Sequence, residues 1–209
     1  MLVEIFTHME LCTESEVARM LPLVSAQRRD EALRYAHTHG RFCCLKSYMM
    51  LLELLGAVSP TLDYTRPVFT YNAYGKPAIQ NRPDLHFSIS HTKNAIAVAV
   101  SFHPVGIDIE QLRLPSDALI RKTMNEDERR RIASADNSAA AFTALWTQKE
   151  AVLKCAGTGI IDNLHDVLLA PHATLIQTQI NMDNHYACSV AQNNSASSNE
   201  SILPMSIIR

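Results

Sequence analysis

The pentapeptide GIDIE, residues 106–110, decides the fold and the kind of site that this sequence predicts. Side chains of a β-strand alternate between its two faces, so Asp108 and Glu110 are predicted on one face and the isoleucines on the other. Two carboxylates on one face repel each other and require a cation, a proton or open water nearby. The segment is therefore either a site for a hard cation such as Mg²⁺ or a solvent-exposed strand end.

Strands and helices occur twice along the chain, once before and once after GIDIE. Before it, the pattern predicts strands at 2–9, 85–90 and 95–102, a hairpin at 68–79, and helices at 13–24, 26–37 and 41–55, the last ended by Gly56. After it, the pattern predicts helices at 116–124, 125–133 and 138–156, the last ended by Gly157, and strands at 166–170, 174–180 and 185–191. The polar stretch at 192–201 is predicted to form a mobile loop. The sequence thus predicts an α+β chain of two lobes, residues 1–102 and 103–209.

Composition and charge exclude several classes of protein. Hydrophobic residues make up 47% of the chain, which suffices for a globular core, and no apolar run approaches the roughly 20 residues that span a bilayer. The 19 Lys and Arg nearly balance the 21 Asp and Glu, which argues against a nucleic-acid binder. Five cysteines without a C-x-x-C pair suit a reduced compartment. We predict a cytoplasmic protein with no membrane span and no signal peptide.

The long helix predicted over 138–156 carries a polar stripe. Trp146, Glu150 and Lys154 follow one another at intervals of four and line one side of the helix. Glu150 and Lys154 at this spacing form either a surface ion pair or part of a site, while Trp146 alone suits a core position. One helix earlier, Asn125 and Glu128 have the spacing of a capping box, so helix capping is the predicted role of Glu128.

Two short segments in the first lobe offer groups that bind anions. In SISHT, Ser90 and His91 lie at the end of a predicted strand, and because neighbours on a strand point apart they do not form a hydrolase dyad. In YGKP, Gly75 permits a tight turn and Pro77 stiffens it, so Lys76 is predicted to extend outward as a compact positive charge. Taken alone, each segment suits an ordinary turn as well.

The order and spacing of GKP, FSISHT, GIDIE and WTQKEAVLKCAGTGI together resemble the 4′-phosphopantetheinyl transferases of the surfactin-synthetase-activating type. The match runs from about residue 25 to residue 161. Its most specific parts are the G-x-D-x-E strand and the W-x-x-K-E-x-x-x-K helix, at the interval typical of the family. The resemblance implies a pseudo-twofold chain of two similar lobes, each with a small antiparallel sheet and a long helix, and a cleft between them that holds coenzyme A and Mg²⁺.

The resemblance also implies a reaction and the residues that perform it. Phosphopantetheine passes from coenzyme A to a serine hydroxyl of an acyl or peptidyl carrier protein, leaving adenosine 3′,5′-bisphosphate, and the enzyme is expected to act as a monomer. Asp108, Glu150 and Lys154 are implied to be catalytic, and Asp108, Glu110 and Glu150 to bind the metal. Residues implied to bind coenzyme A are Arg28, Arg41, Gly75, Lys76, Pro77, Ser90, His91 and Lys154. A second basic position of the family's first helices is Glu31 in this chain.

Two other hypotheses stay open from the sequence. One is a metal-dependent hydrolase that cleaves the coenzyme A pyrophosphate with water, although no Nudix-like run of Gly and Glu is present. The other is a non-catalytic module that binds carrier proteins, against which the intact Asp108, Glu150 and Lys154 argue. In a transferase, basic residues after Glu110, with Arg121 and Lys122 as candidates, are expected to meet the acidic helix of the carrier.

Overall fold

The structure of the protein, a computed structural model, describes residues 1–59, 67–159, 163–169 and 174–193. Its α-helices are α1 (Glu14–Met20), α2 (Ala26–Leu33), α3 (Thr38–Val58), α4 (Asp117–Thr123), α5 (Glu126–Ser134) and α6 (Ser138–Ala156). Its strands are β1 (Leu2–Phe6), β2 (Phe69–Tyr71), β3 (Pro77–Ile79), β4 (His86–His91), β5 (Ile96–Ser101), β6 (Val105–Gln111), β7 (Thr174–Asn181) and β8 (Tyr186–Asn193). Within the described ranges, no helix has the length and apolar character that crossing a bilayer requires.

The first half of the chain folds around α3. Strands β1, β5 and β4 form an antiparallel sheet in that order, and β2 and β3 form a separate hairpin. One face of β5, with Ile96 and Val98, shares a buried cluster with Phe42 and Leu45 of α3. Every second residue of the strand therefore faces the helix, as the alternation of strand side chains requires.

In the second half of the chain, α6 packs on a sheet formed by β6, β8 and β7 in that order. A Cβ atom on Gly106 would lie 2.1 Å from the carbonyl oxygen of Ala151 and 2.3 Å from the amide nitrogen of Cys155. Any larger residue would push α6 away from β6, because both contacted atoms belong to the helix backbone. The glycine of GIDIE is therefore required by the close approach of α6.

The sheet faces that look away from the two long helices pack on each other. Ala97 and Ala99 of β5 share a buried cluster with Ile107 and Ile109 of β6. Where β4 lies beside β6, the amide of Ile107 donates a hydrogen bond to the hydroxyl of Ser88 at 3.0 Å. The α+β class predicted from the sequence is confirmed, with one long helix on the outer face of each three-stranded sheet.

Several predicted elements are confirmed closely. α6 begins at Ser138 and ends at Ala156, and Gly157 follows it in the left-handed conformation. The GIDIE strand, the β2–β3 hairpin and the two strands around HTKN are also present. The capping box of α5 is formed, with Asn125 and Glu128 each accepting from the backbone of the other. Local signals, namely strand alternation and caps, were sufficient at these places.

Several predictions about elements are wrong, among them the ends of β1, at Phe6 and not at residue 9, and of α1, at Met20 and not at residue 24. α3 does not end at Gly56 but continues to Val58, because the burial of Leu54 and Leu55 outweighs the cost of one glycine. α2 ends at Leu33, four residues earlier than predicted. Residues 166–169 form turns and not a strand, and Val167 packs beside α6. The loop predicted over 192–201 is wrong at its start, because residues 192 and 193 belong to β8, and residues 170 and 194–201 lie outside the described residues.

Candidate active site

The carboxylate of Asp108 lies where β4, β6 and α6 meet, and the residue is only 4% exposed. Its Oδ1 accepts hydrogen bonds from Lys154 Nζ at 2.6 Å and from Ser90 Oγ at 2.9 Å. Lys154 Nζ also donates to Ser90 Oγ at 3.1 Å. The other carboxylate oxygen, Oδ2, is buried and has no hydrogen-bond partner among the described residues. The alternative of a solvent-exposed strand end is therefore wrong.

Glu110 and Glu150 complete an acidic group around Asp108. Burial and, second, the charge of Asp108 raise the pKa of Glu110, and the same two causes raise the pKa of Glu150. Glu150 Oε1 is buried and finds no hydrogen-bond partner in the described part of the chain. No set of three or more His, Cys, Asp or Glu side chains in that part is already arranged as a metal site. The group retains unsatisfied negative charge, which a proton or a cation would relieve.

Lys154 reaches across from α6 to β6. The sequence left open a surface ion pair with Glu150 one turn earlier on the same helix, but the ammonium instead pairs with Asp108. The Lys154 side chain is 33% exposed, whereas that of Asp108 is 6% exposed, so the pair lies at the edge of the protein interior. Lys154 is therefore part of the candidate site and does not form a surface ion pair with Glu150.

A cavity of about 310 Å³ opens beside this group. Glu150 and Lys154 contribute to its lining, and so do Gly75, Lys76 and Pro77 of the GKP turn. The remaining lining residues are Tyr74, Phe87, Ser88, Ile89, Leu153, Gly157 and Gly159. The structure thus brings together two motifs that are about 80 residues apart in the sequence.

Lys76 does not extend outward as the sequence predicted. Its ammonium donates hydrogen bonds to the carbonyl oxygens of Cys155 at 2.7 Å and Val105 at 3.3 Å. Burial lowers the pKa of Lys76. Carbonyls at the C-terminal end of a helix lack intrahelical partners and attract cations, which explains why the lysine turns toward α6.

Ser90 and His91 are the last two residues of β4 and point to different surroundings. Ser90 belongs to the hydrogen-bond network of Asp108. The ring of His91 meets the ring of His39 edge to face, with the centroids 6.2 Å apart. Partial burial, then the charges of His39 and Lys154, lower the pKa of His91, although its side chain still contacts solvent. These three causes all favour the neutral form of the His91 ring.

Arg28 and Arg41 are not among the residues that line the cavity. The guanidinium of Arg28 lies 4.5 Å from the ring centroid of Tyr48 and pairs with Glu31 at 3.0 Å. Arg41 pairs with Glu14 at 3.6 Å. Both of the arginines that the resemblance assigns to coenzyme A are thus occupied by contacts within the chain.

Lys149 is part of the W-x-x-K-E-x-x-x-K motif, but sequence reasoning gave it no role; it is 1% exposed. Its ammonium donates to Glu128 Oε2 at 2.7 Å and to the carbonyl oxygens of Thr123 at 2.9 Å and Leu164 at 2.7 Å. The buried lysine therefore joins α6 to the junction of α4 and α5. The signal was present, since Lys149 stands four residues after Leu145 on the apolar side of the helix.

Replacing Lys149 by methionine is expected to destabilise the protein by about 3 kcal/mol or more, because it leaves the carboxylate of Glu128 buried without its cation. Urea unfolding followed by circular dichroism measures the change. Lys93→Met, at an exposed position, is the matched control and should leave the free energy of unfolding within about 0.5 kcal/mol. A Lys149→Met protein as stable as the control would contradict this role.

Comparisons of the sequence with known proteins identify relatives of this chain. The model of the family described as the 4′-phosphopantetheinyl transferase superfamily matches residues 104–201, which include GIDIE and α6. A 4′-phosphopantetheinyl transferase of Bacillus subtilis is 33% identical over 147 residues, 69% of this chain and 65% of the relative. Residues 104–201 belong to the 4′-phosphopantetheinyl transferase superfamily. Asp108, Glu110, Glu150 and Lys154 all fall within the part that the family model matches.

Two further relatives lie in the same superfamily. The 4′-phosphopantetheinyl transferase Sfp of Bacillus subtilis strain 168 is 27% identical over 150 residues, 71% of this chain and 66% of the relative. The L-aminoadipate-semialdehyde dehydrogenase-phosphopantetheinyl transferase of Saccharomyces cerevisiae is 28% identical over 169 residues, 73% of this chain and 58% of the relative. The chain thus spans a little under two thirds of the length of these curated relatives. The surfactin-synthetase-activating type named from the motifs agrees with the Bacillus relatives.

Proposed function

We propose that this protein transfers phosphopantetheine from coenzyme A to a serine hydroxyl of an apo acyl or peptidyl carrier protein, releasing adenosine 3′,5′-bisphosphate. The observation that carries the proposal is the group of Asp108, Glu150 and Lys154 beside a cavity whose other wall is the GKP turn. A chain of this superfamily with that group and that cavity has the parts that a pyrophosphate donor needs, namely acids for a cation, a lysine and a pocket.

The donor is proposed to lie in the cavity, with its nucleotide toward the lobe 1–102 and its pyrophosphate toward the lobe 103–209. Gly75 and Pro77 offer close backbone approach at the nucleotide end. Lys154 is proposed to hold the phosphates, and Lys76, Ser90 and His91 the nucleotide end with its 3′-phosphate. Of these four residues, Lys76 and Lys154 line the cavity. If Arg28 or Arg41 binds the 3′-phosphate, that contact has to compete with Glu31 or Glu14.

Asp108, Glu110 and Glu150 are the residues that fit Mg²⁺. Two buried carboxylate oxygens, Asp108 Oδ2 and Glu150 Oε1, have no partner among the described residues, and oxygen ligands are those that Mg²⁺ prefers. When bound, Mg²⁺ neutralises charge on the pyrophosphate and on its leaving group. Lys154, which neutralises Asp108 in the structure, is then available to the phosphates.

Glu150 is the proposed acceptor of the serine proton. The serine oxygen attacks the β-phosphorus of coenzyme A, the bond from that phosphorus to the bridging oxygen breaks, and the proton passes to Glu150 directly or through water. Burial and the neighbouring acid Asp108 raise the pKa of Glu150, which makes its carboxylate a stronger proton acceptor. Its position on the cavity wall supports this role.

Incubation of several apo carrier proteins with coenzyme A and Mg²⁺, followed by intact mass measurement, tests the proposal. A gain of one phosphopantetheine on the carrier is expected. Free 4′-phosphopantetheine with unmodified carrier would identify the hydrolase alternative. Carrier binding without either product would identify a non-catalytic module.

The reaction is proposed to occur in the cytoplasm, with the enzyme as a monomer, and the free thiols of all five cysteines suit such a reducing compartment.

The carrier is proposed to dock near the end of α4, where Arg121 and Lys122 are exposed. Charge reversal at both positions is expected to raise the KM for the carrier about tenfold and to leave the dissociation constant for coenzyme A unchanged, since rim charges steer association. Arg34→Glu, on the exposed end of α2, is the control. Steady-state kinetics at two salt concentrations measure the effect, and an equal loss for both substrates would place the docking site elsewhere.

A further inference from the structure

The turn between β2 and β3 is fastened to the C-terminal end of α6. Asn72 Nδ2 donates a hydrogen bond to the carbonyl oxygen of Gly157 at 2.8 Å, and Lys76 Nζ donates to that of Cys155 at 2.7 Å. Cys155 lies in the last turn of α6 and Gly157 just after it, where no intrahelical donor remains for the carbonyl oxygens. Two side chains from the first half of the chain therefore supply hydrogen bonds that the helix of the second half lacks.

The amide of Asn72 has two separable roles. Its Oδ1 accepts hydrogen bonds from the backbone amides of Tyr74 and Lys76, both at 2.9 Å, and so shapes the turn. Its Nδ2 makes the bond to Gly157. One oxygen thus organises the turn internally, while one nitrogen fixes the turn to α6.

The same two elements form walls of the cavity. Tyr74, Gly75, Lys76 and Pro77 belong to the turn, and Leu153, Lys154 and Gly157 belong to the end of α6. Gly157 has a φ of +72°, and a Cβ there would lie 2.8 Å from Lys76 Cδ and 3.2 Å from Asn72 Nδ2. The turn and the helix end are therefore in tight contact, and the bond from Asn72 sets the separation of the walls.

We infer that Asn72 is a positioning residue for the donor pocket, holding the GKP turn on the end of α6 so that coenzyme A meets a preformed cavity. This inference rests on the proposed function. A pocket that must be ordered during binding loses affinity for its ligand, whereas a preformed one does not. Because Asn72 itself is exposed, its substitution disturbs the pocket more than the core.

Asn72→Asp isolates the fastening bond. The aspartate keeps an oxygen for the amides of Tyr74 and Lys76, but it has no donor and sets a carboxylate against the carbonyl of Gly157. We expect the dissociation constant for coenzyme A, measured by calorimetry, and the KM for coenzyme A to rise about tenfold. A change of this size is typical for the loss of one hydrogen bond. The kcat and the KM for the carrier should stay within about twofold of wild type, because Asn72 touches no reacting group.

Asn72→Ala and Gln80→Ala complete the experiment. Asn72→Ala should weaken the binding of coenzyme A as much as Asn72→Asp does. Only the alanine variant should also lose hydrogen-exchange protection at the amides of Tyr74 and Lys76. Gln80→Ala, an exposed change beside the same hairpin, should match wild type. Unchanged coenzyme A affinity in Asn72→Asp, or a fall in kcat alone, would overturn the inference. A wild-type protein that neither binds coenzyme A nor modifies a carrier would instead overturn the proposed function.

Discussion

Asp108→Ala is expected to lower kcat/KM by about 10³-fold, and high Mg²⁺ concentration is expected to restore part of the loss. Asp108 is the most buried of the three acids, and it is the one whose charge raises the pKa of both Glu110 and Glu150. Its removal deletes one charge from the proposed metal ligands and frees Lys154. The remaining acids still attract the cation, so the defect should shrink as metal is added.

The measurement is a titration of Mg²⁺ at fixed coenzyme A and carrier concentrations, with thermal melting as the check on folding. Asp136→Ala, at an exposed position before α6, removes the same charge far from the cavity and should follow the wild-type curve. Asp108→Asn keeps the size of the side chain and an acceptor for Ser90 and Lys154. If either substitution at Asp108 left near-normal activity, the assignment of the site would be wrong.

The parts of the site that local patterns determine were predictable from the sequence. Alternation along GIDIE places Asp108 and Glu110 on one face of β6, and the four-residue spacing on α6 places Glu150 and Lys154 on one side of the helix. The glycine after α6 ends that helix where predicted. These features depend on neighbours within a few residues, and strand and helix geometry suffices to derive them.

The partners across the fold were not predictable in the same way. Lys154 donates a hydrogen bond to Asp108, which is 46 residues away in the sequence, and Lys76 donates one to the carbonyl of Cys155, which is 79 residues away. A surface pair of Glu150 with Lys154 and an outward Lys76 agree equally well with local spacing. Only the packing of α6 on β6, which the absent side chain of Gly106 permits, decides between those alternatives.

Glu150→Gln is expected to lower kcat by about 10² or more, and saturating Mg²⁺ is expected not to restore it. Glutamine keeps the size of the side chain and one oxygen that can contact a cation, but it does not take a proton at neutral pH. A residue that serves only as a metal ligand would be rescued by metal, whereas a proton acceptor would not. The dissociation constant for coenzyme A should stay close to that of wild type.

The stability of this variant separates lost chemistry from lost folding. Burial and the charge of Asp108 raise the pKa of Glu150 above its value in the unfolded chain, so at neutral pH the charged carboxylate disfavours folding. Glutamine removes that charge, and Glu150→Gln should therefore melt at the same temperature as wild type or higher. Glu53→Gln, the same change on an exposed part of α3, is the control for both melting and activity.

A stable, inactive Glu150→Gln that metal does not rescue would assign proton transfer to Glu150, because neither unfolding nor a weakened metal site accounts for that combination. Full rescue by Mg²⁺ would leave Glu150 as a ligand alone.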